Sequence, residues 1–149
     1  MLYQVLYSSR AVDEVHEADV ASILESARPS NERLGVTGVL IYGDQVFVQL
    51  LEGEKQTLDE LLERIRRDPR HTDLKVFRRE PVEARSLVGW RMACMLPDEA
   101  EIGHWLEHPG AIDLTTLAAD LEMRADDFPR ILLRIVDALT AQHARGESL

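Results

Sequence analysis

A glutamine stands in the middle of an apolar run, FVQLLEGE, from Phe47 to Glu54. The Gln49 side chain is a primary amide with donor and acceptor positions, and each one withdrawn from water needs a partner. Two other residues are of a type to meet it. Tyr7, in the alternating stretch LYQVLYSS, carries a phenol that both donates and accepts, and Asn31, in RPSNERLG, carries a second amide. If Tyr7 and Gln49 meet inside an apolar layer, two readings stay open. The pair can satisfy itself with help from the backbone, as buried polar groups usually do. Alternatively, the amide can serve a bound ligand with matching donors and acceptors. Leaving one partner unmade would cost roughly 1 to 3 kcal/mol.

Covalent and metal chemistry find less support. The chain has no G-x-S-x-G, no phosphate loop and no H-E-x-x-H. Cys94 with His104 is a conceivable nucleophile and base, but an apolar strand is a poor place for a thiolate. As the lone cysteine, Cys94 also excludes an intrachain disulfide and a cysteine-based zinc cluster. Glu52 and Glu54 flank Gly53 at a strand end, where solvated carboxylates are expected. Read by themselves, Arg64, Arg66, Arg67 and Arg70 are a solvated helix end complementing the helix dipole. His71 alone reads as a surface turn residue.

The elements that must position these residues follow from periodicity. Leu2 to Ser8 alternates as a first strand. Val20, Ile23, Leu24 and Ala27 recur at helical spacing, with Pro29 expected to stop that helix and Ser30 to Gly35 to form a polar loop carrying Asn31. Val36 to Tyr42 and Gln45 to Leu51 form a hairpin turning at Gly43-Asp44. Thr57 and Glu60 have the spacing of a capping box before Leu58, Leu61, Leu62 and Ile65, and this second helix ends near Asp68-Pro69. Leu74 to Arg79 and Trp90 to Leu96 read as the fourth and fifth strands, with Trp90, Met92 and Cys94 on one face of the fifth. The order βαββαββ describes an α+β, ferredoxin-like sheet with two helices on one face. Beyond it come helices at Glu101 to Glu107, Leu114 to Leu121 and Asp127 to His143, the last with a stripe of Ile131, Leu132, Ile135, Val136 and Leu139. Residues 1–96 and 97–149 are thus expected to form an α/β domain and a helical extension. Both faces of the third strand are nearly apolar, so the extension is expected to cover the second face, in its own chain or a partner's.

Composition restricts the partners. The 149 residues fit one domain with an ordinary core. Against 17 Lys and Arg stand 27 Asp and Glu, a net charge of -10 that repels phosphate backbones, so no nucleic-acid partner is expected. No apolar run approaches the ~20 residues of a membrane helix, and the N-terminus lacks the layout of a signal peptide. A cytoplasmic protein with no membrane partner is the expectation.

Five segments in order, LYQVLYSS, ILESARPSNERLGVTGVL, FVQLLEGE, RIRRDPRH and GWRM, carry a resemblance to the BLUF domains, blue-light sensors that use FAD, over about residues 1 to 96. The resemblance assigns roles position by position. Tyr7 matches the photoactive tyrosine that gives an electron and a proton to the excited flavin. Gln49 matches the switch glutamine between that tyrosine and the flavin N5 and C4 carbonyl. Asn31 matches the asparagine on the polar edge of the ring, and Ile23 and Ile65 the aliphatic clamp around it. Arg64, Asp68, Arg70 and His71 fall where the family holds the ribityl and phosphate portion. Trp90 and Met92 match the pair linked to signalling. Two departures are Ser30 in place of a first asparagine and Leu87 in place of an aromatic residue. The resemblance implies a photoreceptor and no enzyme: a rearranged Gln49 amide alters an interface with a downstream protein or with a second copy of the chain, since similar standalone proteins commonly form homo-oligomers. The competing readings are a flavin-dependent redox enzyme and a flavin-free ferredoxin-like interaction module.

Overall fold

The computed structural model describes residues 1–14, 16–88, 90–123 and 128–144. A five-stranded sheet has the order β4-β1-β3-β2-β5. Its strands are β1 (Leu2–Ala11), β2 (Thr37–Gly43), β3 (Val46–Glu54), β4 (His71–Pro81) and β5 (Ala93–Met95). The first four are antiparallel to their neighbours, and β5 joins the edge parallel to β2. Helices α1 (Glu17–Leu34) and α2 (Lys55–Arg67) are the two crossovers and share one face. This is the expected ferredoxin-like arrangement. Its consequence for the site is that β1 and β3 lie together at the centre, with Tyr7 directly opposite Gln49.

Alternation then sorts the side chains. Val5, Tyr7, Leu40, Tyr42 and Leu51 face α1 and α2, where they pack with Val20, Leu24, Leu58 and Leu62. Leu6, Val39, Ile41, Val46, Val48 and Leu50 face the other way. That second face is covered by α3 (Glu99–Trp105), α4 (Leu114–Met123) and α5 (Phe128–Ala144) of the same chain, through Ile102, Trp105, Leu114, Leu117, Leu121, Ile131 and Ile135. Asp127 and the side chains of Leu132 and Leu139 lie outside the described residues. No described helix is long and apolar enough to cross a membrane.

Several boundaries differ from the sequence expectation. Pro29 does not end α1, which runs to Leu34 before Gly35, at φ 70, closes it by donating to the carbonyls of Asn31 and Glu32. A proline inside a helix removes its own N–H and costs about 3 kcal/mol without support. Here the following turn is tied down by that left-handed glycine cap and by Val36 N–H on the Asn31 carbonyl at 2.8 Å. Asn31 is therefore a helical residue, seven positions after Leu24 and on its stripe, and not part of a loop. The hairpin turns at Asp44-Gln45, both with positive φ, one residue later than expected. Gly53 pairs with Tyr3 instead of ending β3, so α2 begins at Lys55 and the Thr57/Glu60 pair falls inside it. Only Ala93–Met95 of the fifth strand forms a ladder, pairing with Val39, Leu40 and Ile41 of β2. Ahead of it, period-two alternation does not operate. Met92 and Cys94 pack on the α1/α2 face while Trp90 packs on the opposite cluster, so the three do not share a face. Glu52, expected to be solvated, is 0% exposed.

Trp105, 1% exposed, is the largest side chain joining α3 to the sheet. Trp105→Ala should lower the unfolding free energy by about 3 to 5 kcal/mol in urea. A loss below about 1 kcal/mol would mean that the extension contributes little to the common core.

Candidate functional site

Between α1 and α2, above the centre of the sheet, lies a cavity of about 190 Å³. Its floor is Tyr7, Ser9, Leu40, Phe47, Gln49 and Leu51; Ile23, Leu24, Ala27 and Asn31 of α1 form one wall, and Leu61 and Ile65 of α2 the other. Ile23 and Ile65 stay half-buried although they sit on apolar stripes, because each faces this space and not a packed neighbour. Asp68, Arg70 and His71 stand beyond the end of α2 and complete the lining.

Register sets the polar centre. Tyr7 and Gln49 are cross-strand partners, and Tyr7 Oη donates to Gln49 Oε1. From the other end of the amide, Nε2 donates to Met92 Sδ at 3.2 Å. A thioether is a weak acceptor and cannot donate, so one of the amide hydrogens is held by a bond that is easily exchanged. The approach of Met92 depends on Gly38: a methyl at its Cβ position would lie 2.9 Å from Met92 Cε and 2.6 Å from the Leu50 carbonyl.

Helix α1 holds the segment that carries Met92. Arg28 Nε donates to the Met92 carbonyl at 3.1 Å, and Asn31 Nδ2 to the Arg91 carbonyl at 3.3 Å. Arg91 in turn pairs with Glu32 at 2.7 Å. Asn31, 4% exposed, thus both faces the cavity and restrains residue 91.

At the other end Asp68 receives the Arg70 guanidinium and backbone N–H, each at 2.9 Å, and the guanidinium foremost holds its carboxyl below the ordinary value. His71 places a ring nitrogen 2.5 Å from the Ile65 carbonyl. Arg70 remains largely in solvent, so the far end of the cavity presents a cation already matched by a carboxylate.

The structure therefore gathers Tyr7, Ile23, Asn31, Gln49, Ile65, Asp68, Arg70, His71 and Met92 around one cavity. Arg64 sits exposed on α2 and Trp90 packs toward the tail helices; neither lines it. Cys94 and His104 do not pair, since Cys94 packs on the α1/α2 face and His104 belongs to α3 on the other side of the sheet. Among the described residues no cluster of His, Cys, Asp or Glu could hold a metal ion. Sequence reading missed Ser9, whose buried Oγ has no partner among the described residues and which lines the cavity. Its position two residues after Tyr7 is the signal that marks it, because strand alternation puts both on one face. Arg28 was missed as well; its neighbour Pro29 masked the continuation of the helix.

A family model described as "Sensors of blue-light using FAD" matches residues 2–93. The beta subunit of a photoactivated adenylate cyclase from Euglena longa is 36% identical over 85 residues, and the alpha subunit from Euglena gracilis is 37% identical over 84. These stretches cover 57% and 56% of this chain but only 10% and 8% of the cyclase subunits. Among solved structures, the dark state of BlrB, a BLUF protein, superposes with a TM-score of 0.71 at 31% identity, covering 92% of this chain and 96% of that one. The photo-activated state of BlsA gives 0.65 at 28%, covering 78% and 89%.

Burial, and after it the charge of Asp68, raise the Tyr7 pKa far above the ordinary tyrosine value. The neutral phenol contributes its full stabilisation below the unfolded value of about 10. That contribution is lost as pH climbs toward the folded value, because the unfolded chain releases the proton and the native state does not. Urea titrations from about pH 9 to 11 should show unfolding free energy falling above pH 10 by up to about 1.4 kcal/mol per pH unit more than in Tyr7→Phe. Parallel curves would contradict a buried neutral phenol.

Proposed function

The chain belongs to the BLUF family, the sensors of blue light using FAD, and on that footing we propose that Gln49 is its switch, with Tyr7 and Met92 as the groups on its two ends. The observation that carries this reading is the continuous path from Tyr7 Oη through the Gln49 amide to Met92 Sδ on the wall of one cavity.

The residues present fit a flavin. The cavity has apolar side chains on both walls and polar atoms at its floor, including the Ser9 hydroxyl that no group among the described residues satisfies. Its volume of about 190 Å³ is below the roughly 300 Å³ at which whole-ligand pockets begin. A ring system is enclosed by such a space, while a longer chain would leave past Asp68, Arg70 and His71. In this reading Ile23 and Ile65 clamp the ring, Asn31 and Gln49 meet its polar edge, and Arg64 acts beyond the mouth. Bound FAD supplies the absorption of blue light and, when excited, an oxidant strong enough to take an electron from a phenol.

Tyr7 is the group placed to give up an electron with its Oη proton and to regain both. No net oxidation then remains, and the lasting change is in the amide that shares the Tyr7 proton. If the amide exchanges its ends, Nε2 points at the Tyr7 oxygen, which can accept. Oε1 then points at Met92 Sδ, where acceptor meets acceptor and no bond forms. Met92 must move, and with it the segment held by Arg28 and Asn31. That segment leads into β5 and, through Pro97, into the tail helices. Trp90, on the tail side of the same segment, would register the displacement. We read residues 1–96 as the sensing unit and 97–149 as its output. The output acts through altered contacts with a downstream protein or a second copy in the cytoplasm, with no turnover of its own; exposed Met123 and Leu133 on α4 and α5 support such contacts.

An absorption spectrum of the purified protein before and after blue light tests the reading. Bound flavin with a small, reversible red shift is expected, and a colourless protein that cannot be reconstituted with FAD would overturn it. Gln49→Leu should keep the flavin and lose the shift. A normal shift in that variant would remove Gln49 from the centre of the mechanism.

A further inference from the structure

Glu52 is a carboxylate at 0% exposure, three residues beyond Gln49 on β3 and on the opposite face of the sheet. Its side-chain partners come from two separate parts of the chain. Oε2 accepts from Gln4 Nε2 at 3.0 Å and from the Ser86 backbone N–H at 2.9 Å, and Oε1 accepts from the Leu87 N–H at 2.8 Å. Gln4 is its cross-strand partner on β1, and Thr37 its partner on β2. Arg85 adds a second tie, donating to the Glu52 carbonyl at 2.9 Å, to Thr37 Oγ1 at 2.8 Å and to the Gly35 carbonyl at 2.6 Å. Gln4 is itself oriented by Arg78 Nε on its Oε1 at 3.1 Å.

A buried carboxylate is retained only where donors replace its water. Here two of the three donors are successive backbone amides of the connection that crosses from β4, at one edge of the sheet, to β5 at the other. Leu87, fixed by this contact, is wholly buried and accepts from the Trp90 N–H at 3.2 Å; the Trp90 carbonyl accepts from the Gly38 N–H at 2.8 Å. Two residues later Met92 meets Gln49. The contacts close a circuit: Gln49 along β3 to Glu52, across to Leu87, through Trp90 to Met92, and back to the Gln49 amide.

We infer that Glu52 is a positioning residue for the photochemical switch: by anchoring the amides of Ser86 and Leu87 to β3, it fixes where Met92 Sδ stands against the Gln49 amide and holds one end of the connection still while the other end moves. This inference rests on the function proposed above. Glu52 does not line the cavity, so its effect on FAD is indirect.

Glu52→Gln keeps the shape and replaces one acceptor by a donor that must face another donor. The variant should bind FAD in full amount, yet return to the dark state at a rate changed by roughly tenfold or more, the effect of one charge-assisted bond. The Ser86 and Leu87 amides should exchange hydrogen faster by a similar factor, also in protein stripped of flavin. The double variant Gln4→Glu with Glu52→Gln gives the new amide nitrogen at position 52 an acceptor on β1, while the Ser86 N–H that it also faces stays unmatched, and should recover part of the original rate. As a control for simple loss of stability, Ile135→Val in the tail-facing core should leave dark recovery within about twofold. An unchanged recovery rate in Glu52→Gln would overturn the inference. If that variant does not fold, exchange in the unsubstituted protein decides: Ser86 and Leu87 equally protected in dark and light while Trp90 to Cys94 change supports a fixed anchor, and equal changes at both places overturn it. A failure of the photoreceptor reading is distinct, since the unsubstituted protein would then show no light-induced shift at all.

Discussion

A primary amide has one end that accepts and one that donates, and neighbours that can do only one of these fix which way it points. At Gln49 one neighbour, the Met92 thioether, is of that kind. The Tyr7 phenol, kept neutral by burial, offers a hydrogen, and the Met92 thioether can only receive one. Much of the fold serves this arrangement. The antiparallel register of β1 and β3 sets Tyr7 opposite Gln49, Gly38 leaves room for the Met92 methyl, and the extended end of α1 brings Arg28 and Asn31 onto the carbonyls of residues 91 and 92. The amide has no second orientation that satisfies the same partners, so any change in it has to be answered by a change in them.

The two covered faces of β3 explain how such a change could leave the cavity. Odd positions of the strand look at the helices and even positions at the extension, so Gln49 and Glu52 sit three residues apart in different layers of one core. The connection before β5 is tied to both layers, through Met92 on one side and Leu87 and Trp90 on the other. A well-packed interior has few soft directions. Displacement of this short, weakly laddered segment disturbs fewer backbone bonds than displacement of any of the four longer strands.

The elements of the fold were legible wherever periodicity was unbroken. The central strands, the two-sided burial of β3 and the apolar stripes of α1, α2 and the tail all follow from residue spacing. The failures occurred where a local signal competed with tertiary support. Pro29 reads as a stop, but the Gly35 cap and the bonds from Arg28 and Asn31 carry the helix past it. Trp90, Met92 and Cys94 read as one strand face, but residues 90 to 92 are held by α1 and Gly38 and not by a ladder. Of the candidate site, the approach of Tyr7 to Gln49 could be expected from strand alternation together with the ferredoxin-like strand order, while Asp68, Arg70 and His71 needed the family resemblance. Glu52 escaped because a carboxylate beside a glycine near a strand end gives no sign of the three donors that converge on it from distant parts of the chain.

The central claim is that the Gln49 amide changes its hydrogen bonds on illumination. A light-minus-dark infrared difference spectrum, taken on protein carrying a heavy-carbon label at the glutamine side-chain carbonyl, reads that bond directly. An isotope-sensitive carbonyl band that appears in blue light, decays in the dark and is missing from Gln49→Leu is the predicted result. A difference spectrum with no isotope-sensitive band, obtained alongside a normal flavin red shift, would contradict it.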